Sequence, residues 1–486
     1  MRERWETVIG LEVHAELSTA SKIFCGCSTA FGGEPNTRCC PVCMGLPGTL
    51  PVLNEKVLEY AVRAGLALHC EIDRETRFDR KNYFYPDLPK AYQISQLYRP
   101  IARNGYVDIV ADGAEKRIRI HEMHMEEDAG KLVHSEFERV TYPDYNRAGT
   151  PLLEIVSEPD FRSSAEVLAY LEKIRSLFTY MGISDCKMQE GSMRADVNLS
   201  VRPMGETAYG VRTETKNINS LRAIEHAIES ERSRQIHVIT NGGKVIQETR
   251  RWNDDLKTSV PMRSKENAPD YRYFPEPDLP AIHISEAFLQ AARESLPEFA
   301  EERQARFVKE YGLPENDAAR LVARRETAEL FEAVVAQGAG AHSAANWLVV
   351  HVPHVLKTLS ESAEDAHPDA SELAELIRRT ERGEISRPDA LKVLGALLSA
   401  ETPFGVADYI RENGMAVEND ESALEDAVRR VIAANPKAVE EYRSGKTKAI
   451  GFLIGQAMKE LKGKSAPATV HERMEAALRE PPSVTA

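Results

Sequence analysis

Residues 190–202 read Glu-Gly-Ser-Met-Arg-Ala-Asp-Val-Asn-Leu-Ser-Val-Arg, and their reading decides the fold of the first part of the chain. Met193, Ala195, Val197, Leu199 and Val201 fall on one side, while Glu190, Ser192, Arg194, Asp196, Asn198, Ser200 and Arg202 fall on the other. Strict period-two alternation predicts a β-strand with two unlike faces, one for a core and one turned away from it. The same pattern stands near the N-terminus, where Ile9, Leu11, Val13 and Ala15 alternate with Glu12, His14 and Glu16. It returns in Arg212, Glu214 and Lys216. One such strand is ordinary in a sheet with a wet face. Three, each mixing carboxylates with Arg, Lys or His, predict a face that holds a divalent metal and a polyphosphate.

The chain of 486 residues is too long for one hydrophobic core, so two or three domains are expected. Its 42% apolar and 28% charged residues are those of a soluble globular protein. No apolar run approaches the roughly 20 residues that span a bilayer. The charged start, Met-Arg-Glu-Arg-Trp-Glu, runs straight into a strand and does not read as a signal peptide. The expectation is a cytoplasmic protein with no membrane partner. A net charge of −14 argues against a chain that coats nucleic acid nonspecifically. Residues 437–464 are the local exception, with seven basic residues against three acidic ones.

Short alternating segments, Gly, Pro and aromatic residues run to about residue 290, which predicts an antiparallel sheet with helices over 165–180 and 220–235. Gly242-Gly243 reads as a hairpin-type turn, and Pro269, Pro275, Pro277 and Pro280 mark a boundary. Beyond it the apolar spacing turns helical, over 298–311, 317–336 and 371–379, with a further helical unit over 404–470. The fold class is α+β: an antiparallel-sheet domain over 1–290, an all-α domain over 291–405 and a small all-α tail over 406–486.

Five of the seven cysteines lie within one short segment: Cys25, Cys27, Cys39, Cys40 and Cys43. In a cytoplasmic chain such clustering points to metal rather than disulfides. Cys25 and Cys27 with Cys40 and Cys43 make two close pairs that can complete a tetrahedron, and four thiolates suit structural zinc. Spacing alone leaves Cys39 and Cys40 interchangeable. Cys70 and Cys186 stand apart. Glu126, Glu127 and Asp128 end a predicted strand, and neighbours on a strand face opposite ways, so at most two of them share a metal site. Glu154 is a lone acid in an apolar strand and needs a partner or ligand. Lys81 and Lys90 flank an aromatic, Pro-rich stretch in which Tyr83 and Tyr85 could form a wall or simple core. Metal-holding acids with phosphate-contacting cations are the inventory of phosphoryl transfer. No phosphate-loop or dinucleotide glycine motif and no glutaminase-like nucleophile setting occurs.

These stretches together resemble the B subunit family of the bacterial-type aspartyl/glutamyl-tRNA amidotransferases. The resemblance rests on Val8–Leu17, Pro35-Asn-Thr with Cys40–Gly48, and Lys81–Lys90. It continues through Glu126–Lys131, Glu190–Asn198 and Thr213–Asn219, and ends in Gly445–Lys459, so it covers nearly the whole chain. It implies a catalytic cradle related to glutamine synthetase, a helical domain and a tail that meets tRNA. It also implies a reaction: ATP phosphorylates the side-chain carboxylate of Glu on tRNA(Gln) or Asp on tRNA(Asn), and ammonia displaces the phosphate. A separate amidase A subunit supplies the ammonia from glutamine, and a small C subunit completes a heterotrimer.

On that resemblance, Glu12, His14, Glu127 and Glu154 are expected around magnesium, with Glu214 nearby. Lys81, Tyr83, Ser192, Arg194 and Lys216 are expected at ATP or the acyl phosphate. Cys25, Cys27, Cys40 and Cys43 are expected to hold zinc, and Lys446, Lys448, Lys459, Lys462 and Lys464 to meet tRNA phosphates. Two other classes compete: a ligase making a free amide, which needs no basic tail, and a zinc-bearing RNA scaffold, which needs no acid cluster.

Overall fold

The alternating stretches pair into one sheet of nine strands. These are β1 (Trp5–Glu16), β2 (Glu71–Ile72), β3 (Ala102–Ala111), β4 (Ala114–Glu127), β5 (Pro151–Ser157), β6 (Met193–Pro203), β7 (Thr213–Lys216), β8 (Glu248–Asn253) and β9 (Thr258–Ser264). Their order is β9-β8-β7-β6-β1-β5-β4-β3-β2. All neighbours run antiparallel except β7 and β8, which are parallel. The computed structural model describes residues 5–135, 137–264, 270–359, 368–400, 403–417, 421–444, 446–461 and 467–479.

Three helices cover one face of this sheet: α1 (Glu55–Ala67), α2 (Ser164–Met181) and α3 (Leu221–Thr240). Each begins where a short polar side chain caps a free backbone N–H. Asn54 accepts from Lys56, Ser163 from Glu166 and Ser220 from Ala223. Val62, Tyr170, Ile174, Ile224 and Ile228 from the helices meet Leu11, Val13, Leu153, Ile155, Ala195 and Val197 from the strands in one core. Burying an aliphatic side chain of this size contributes about 1.5–3 kcal/mol, so the apolar face fixes the register. A slip of one residue would put Glu12, His14 and Glu16 into that core. The acids and bases therefore line the other face. A second, three-stranded sheet of Phe274–Pro275, Asp79–Asn82 and Tyr92–Ser95 partly covers that face: its Gln93 bonds Glu126 there, while its Ile94 joins the apolar core.

Three local expectations are corrected. Gly242 and Gly243 do not turn a hairpin. They end α3, with their N–H groups returning to the carbonyls of Ile239 and Val238. The helix expected over 317–336 is two helices, Glu315–Val322 and Arg325–Ala336, because Arg324 is extended (φ −128°, ψ 135°). Tyr85 is exposed and is not a core residue.

The chain divides into two compact units, Met1–Phe299 and Ala300–Ala486. Helix Glu286–Glu294 belongs to the first, since Leu289 and Ala292 enter the sheet's core. The second unit holds two apolar cores. One gathers residues from Phe307 to Ile410, including Phe331, Leu376 and Leu394; the other gathers Leu424, Val428, Leu453, Ala457, Val470 and Met474. Val406 and Ile410 are thus built into the middle core. Among the described residues no helix is long and apolar enough to cross a membrane.

Candidate functional site

The polar face of β1 presents Glu12, His14 and Glu16, spaced about 6.8 Å apart along the strand. Each heads a cluster that the pairing register completes. Glu12 stands opposite Asp196, and His14 opposite both Arg194 and Glu154.

The first cluster is Glu12, Asp196 and Glu214, whose carboxylate oxygens lie within 4.8 Å of one another. Lys216 closes it, 2.5 Å from Asp196 and 3.1 Å from Glu214. Asn198 donates to Glu12 at 3.0 Å and Thr249 to Glu214 at 2.7 Å. Burial, reinforced by Glu154, raises the Glu12 carboxyl above its ordinary value. Burial works against the Lys216 ammonium, but Asp196 and Glu214 outweigh it and hold it charged.

The second cluster is His14, Glu126 and Glu154, again with ligand atoms within 4.8 Å of one another. His14 Nε2 lies 3.3 Å from Glu154 and 3.6 Å from Glu126, and His124 Nε2 lies 3.2 Å from Glu154. Gln93 donates to Glu126 at 3.0 Å from the covering sheet. Burial opposes charge on His14, but Glu154 and Glu126 raise it to about 9. Burial alone would push Glu154 up; the two imidazoles instead hold it well below the usual carboxylate range. Buried carboxylates this close demand positive charge between them. Both donor sets fit a hard divalent cation, the all-oxygen set of Glu12, Asp196 and Glu214 most directly.

The third cluster pairs Glu16 with Asp128 between two arginines. Arg194 Nη2 is 2.7 Å and Arg147 Nε 3.3 Å from Asp128. Burial and the neighbouring Asp128 raise Glu16 to about 8. Burial also opposes charge on Asp128, yet Arg194 and Arg147 hold it below its ordinary value.

Lys81 reaches this face from the covering sheet. Its ammonium lies 5.2 Å from the ring centre of Tyr271 and 5.7 Å from that of Tyr83, and the two rings meet edge to face at 5.7 Å. Among the described residues it has no carboxylate at ion-pair distance and no hydrogen-bond acceptor. The other cations of the region are spoken for: Lys216 by acids of the first cluster, Arg194 by Asp128, and Lys90 by Glu127 at 2.5 Å.

The expected residues therefore part company. His14 and Glu154 share one group, while Glu12 and Glu214 share the other. Glu127 belongs to neither and is corrected: one position on from Glu126, it points to the opposite face, bonds Lys90 and the Ile94 N–H, and borders a cavity of about 180 Å³ with Cys25 and Cys43. Ser192 is engaged within its own turn. Its hydroxyl bonds Asp185 and accepts from the Lys187 N–H. Glu126, Asp196, Asp128, His124 and Tyr271 were not chosen from the sequence. Alternation placed Asp196 on the acid face and left open which of Glu126, Glu127 and Asp128 shared it; nothing local could have found Tyr271, which arrives through the pairing of Phe274 with Arg80.

Cys25, Cys27, Cys40 and Cys43 bring their sulfurs within 4.8 Å of one another, which fits a four-coordinate zinc. Cys39 turns away toward Asn146, at 4.0 Å, and so yields to Cys40. A bond from the Cys25 thiol, helped by the Cys40 N–H and by Lys22, holds Cys43 down at about 4. In the tail, Lys446, Lys448 and Lys459 are exposed, while Lys462 and Lys464 lie outside the described residues. Gly451 and Gly455 face open space on helix Ala449–Glu460, and they pack against no neighbouring described helix.

Residues 7–290 match the family described as the GatB/GatE catalytic domain, and residues 329–478 match the GatB domain. A protein of Lachnospira eligens is 53% identical over 482 residues, covering 98% of this chain and 99% of its own. One of Lachnoclostridium phytofermentans is 52% identical over 468 residues (96% and 98%), and one of Brevibacillus brevis 48% over 475 (98% and 99%). All three are named as the B subunit of an aspartyl/glutamyl-tRNA(Asn/Gln) amidotransferase. These matches, over nearly the whole chain, place it in the class of tRNA-dependent amidotransferase subunits. The chain belongs to the GatB family within it.

Proposed function

We propose that this chain, a tRNA-dependent amidotransferase subunit, activates the carboxylate of Glu on tRNA(Gln), of Asp on tRNA(Asn), or of both, with ATP, and delivers it to ammonia. The observation that carries the reading is Lys81: a cation without an acidic partner, held by two aromatic rings beside two carboxylate clusters. Magnesium held by Glu126, Glu154 and His14, or by Glu12, Asp196 and Glu214, would supply the positive charge that phosphoryl transfer needs. Lys81 is free to receive a phosphate oxygen, because the ring faces hold its position without neutralising it. Arg194 is oriented by Asp128 and turns its remaining donors toward the substrate carboxylate. Lys216 keeps the first cluster's acids from repelling one another. The covering sheet excludes bulk water from an acyl phosphate that water would hydrolyse.

We further infer a cradle related to glutamine synthetase, a structural zinc on the four cysteines, an amidase A subunit and a small C subunit as partners, and a cytoplasmic location. The division into cradle, helical and tail domains, with the tail on tRNA, belongs to the same reading. Its support is the exposed Lys448, Gly451, Gly455 and Lys459 on one helix, where a phosphate backbone can approach closely.

The test is ADP formation by the purified complex with ATP, magnesium and either Glu-tRNA(Gln), Asp-tRNA(Asn) or free glutamate. ADP formed only with charged tRNA supports the reading. ADP formed equally with free glutamate identifies a free-amide ligase, and none with any substrate removes the activation step.

A further inference from the structure

We propose that Lys22 is the charge-compensating joint of the four-cysteine site: its buried ammonium donates to Cys43 Sγ and so sets how tightly the thiolates hold their metal. The inference rests on the zinc reading above and adds a residue that lies outside the ligand set.

Lys22 is completely buried, which lysines almost never are unless paired. Its ammonium has three N–H groups and three acceptors: the Arg38 carbonyl at 2.8 Å, the Tyr145 carbonyl at 3.3 Å and Cys43 Sγ at 3.7 Å. Among the described residues no carboxylate lies at ion-pair distance. Two of the acceptors are neutral carbonyls, which satisfy protons but leave the charge standing. Only the sulfur can carry a full negative charge. Four thiolates around a divalent cation carry a surplus of two negative charges, and one buried ammonium removes half of it. Each charge thus makes the other tolerable in a site that neither could occupy alone.

The backbone supports this use of the side chain. The Lys22 N–H bonds the Cys27 carbonyl at 2.9 Å, which ties the residue to the first cysteine pair. Ile23 bonds the Gly149 carbonyl at 3.0 Å, and a Cβ placed on Gly149 would stand 3.5 Å from the Lys22 stem and 3.6 Å from Cys43 Cβ. Gly149 has φ +88°, a conformation that suits glycine and lets the segment before β5 run close to the lysine. Lys22 therefore joins three pieces through one atom: the loop at Arg38, the second cysteine pair at Cys43 and the segment at Tyr145. That segment carries Arg147, which binds Asp128 on the catalytic face. A compact ammonium with tetrahedrally disposed donors suits such a three-way junction better than a planar guanidinium.

The experiment measures zinc affinity of the full-length chain by competition with a chromogenic chelator, for the natural protein and for Lys22→Met. Removal of a residue that supports metal ligands typically costs 10–100-fold in affinity, and a loss of about tenfold or more is expected here. Melting temperature with and without zinc supplies the second readout. Lys22→Met should melt no lower than the natural protein when metal-free, because the uncompensated buried cation is gone, and should gain less from added zinc. Equal zinc affinities, or an equal fall in melting temperature with and without zinc, would overturn the proposal and leave Lys22 as a plain structural tether. If Lys22→Met does not accumulate as folded protein, Lys22→Gln enters the same assay, since its amide still reaches a carbonyl but carries no charge. A natural protein that takes up no zinc removes the zinc reading, and the joint with it. A natural protein that binds zinc as tightly as its variant removes the joint alone.

Discussion

At the scale of single residues, the decisive fact is that Glu126 and Glu127 are neighbours with opposite fates. Glu126 faces His14 and Glu154 across the sheet, whereas Glu127 is bound to Lys90 on the far side. Glu126→Gln should therefore lower ADP formation with charged tRNA by a factor on the order of 10²–10³, the usual cost of removing one charge-stabilising contact. Glu127→Gln should leave magnesium dependence unchanged, so a shifted magnesium requirement in that variant would return Glu127 to the site. Tyr271→Leu should weaken the hold on Lys81. A contact of this kind is worth about 0.5–1 kcal/mol, so a roughly two- to fivefold rise in KM for ATP is expected. An unchanged KM would mean that the ring does not position the lysine. The sequence displayed the acid face but not its grouping. Alternation says which way Glu12, Asp196 and Glu214 point; only the pairing of β1 with β6 and of β6 with β7 says that they meet. Lys81 was legible as a basic residue in an aromatic stretch. Its freedom from acid partners is a property of the assembled face, which no spacing encodes.

At the scale of elements, α3 is fastened to the sheet's far end by a buried charge. Glu231 accepts from Thr213 at 2.6 Å, Arg234 at 2.7 Å and Gln235 at 2.8 Å, and Arg250 of β8 lies 3.6 Å away. Burial alone would raise this carboxyl, but the hydrogen bonds hold it below its ordinary value of 4.5. A carboxyl lowered by folding contributes stability above its unfolded value and loses that contribution as pH falls through its folded one. Glu231→Gln should accordingly cost about 2 kcal/mol at pH 7, within the range for hydrogen bonds to charged groups. The difference from the natural protein should narrow below pH 4.5. Urea unfolding at pH 7 and pH 4 measures both, and a pH-independent cost would assign the loss to packing. Elements like α3 were readable from the sequence because a capping Ser220 and helical spacing are local signals. The break at Arg324 was not. Nothing in its composition resembles a Pro or Gly stop, and the extended residue is imposed by how two short helices share the core around Phe331. The parallel pairing of β7 with β8 was equally hidden, since it depends on α3 carrying the chain back along the sheet.

At the scale of the whole molecule, composition foretold a sheet-based part and a helical part, but a change in texture does not mark where a core ends. Val406 and Ile410 look like the start of a new helical unit and are in fact buried in the middle core. The chain stays with that core to Val417, whose N–H bonds the Glu384 carbonyl. A deletion from residue 406 would thus strip apolar residues from a core it is meant to spare. One from residue 418 removes the last core whole, with its buried Leu424, Val428, Leu453, Val470 and Met474. The proposed tRNA contact is therefore tested with a complex in which this chain ends at Val417. Affinity for charged tRNA should fall. Its dependence on salt should also flatten, by about two to three units of log–log slope if Lys446, Lys448 and Lys459 each meet a phosphate. Activation at saturating charged tRNA should persist, because Lys81 and both carboxylate clusters lie within the first compact unit. Binding measured across a salt series for the full and shortened complexes decides the matter: parallel lines of equal height would show that the tail makes no electrostatic contact with tRNA.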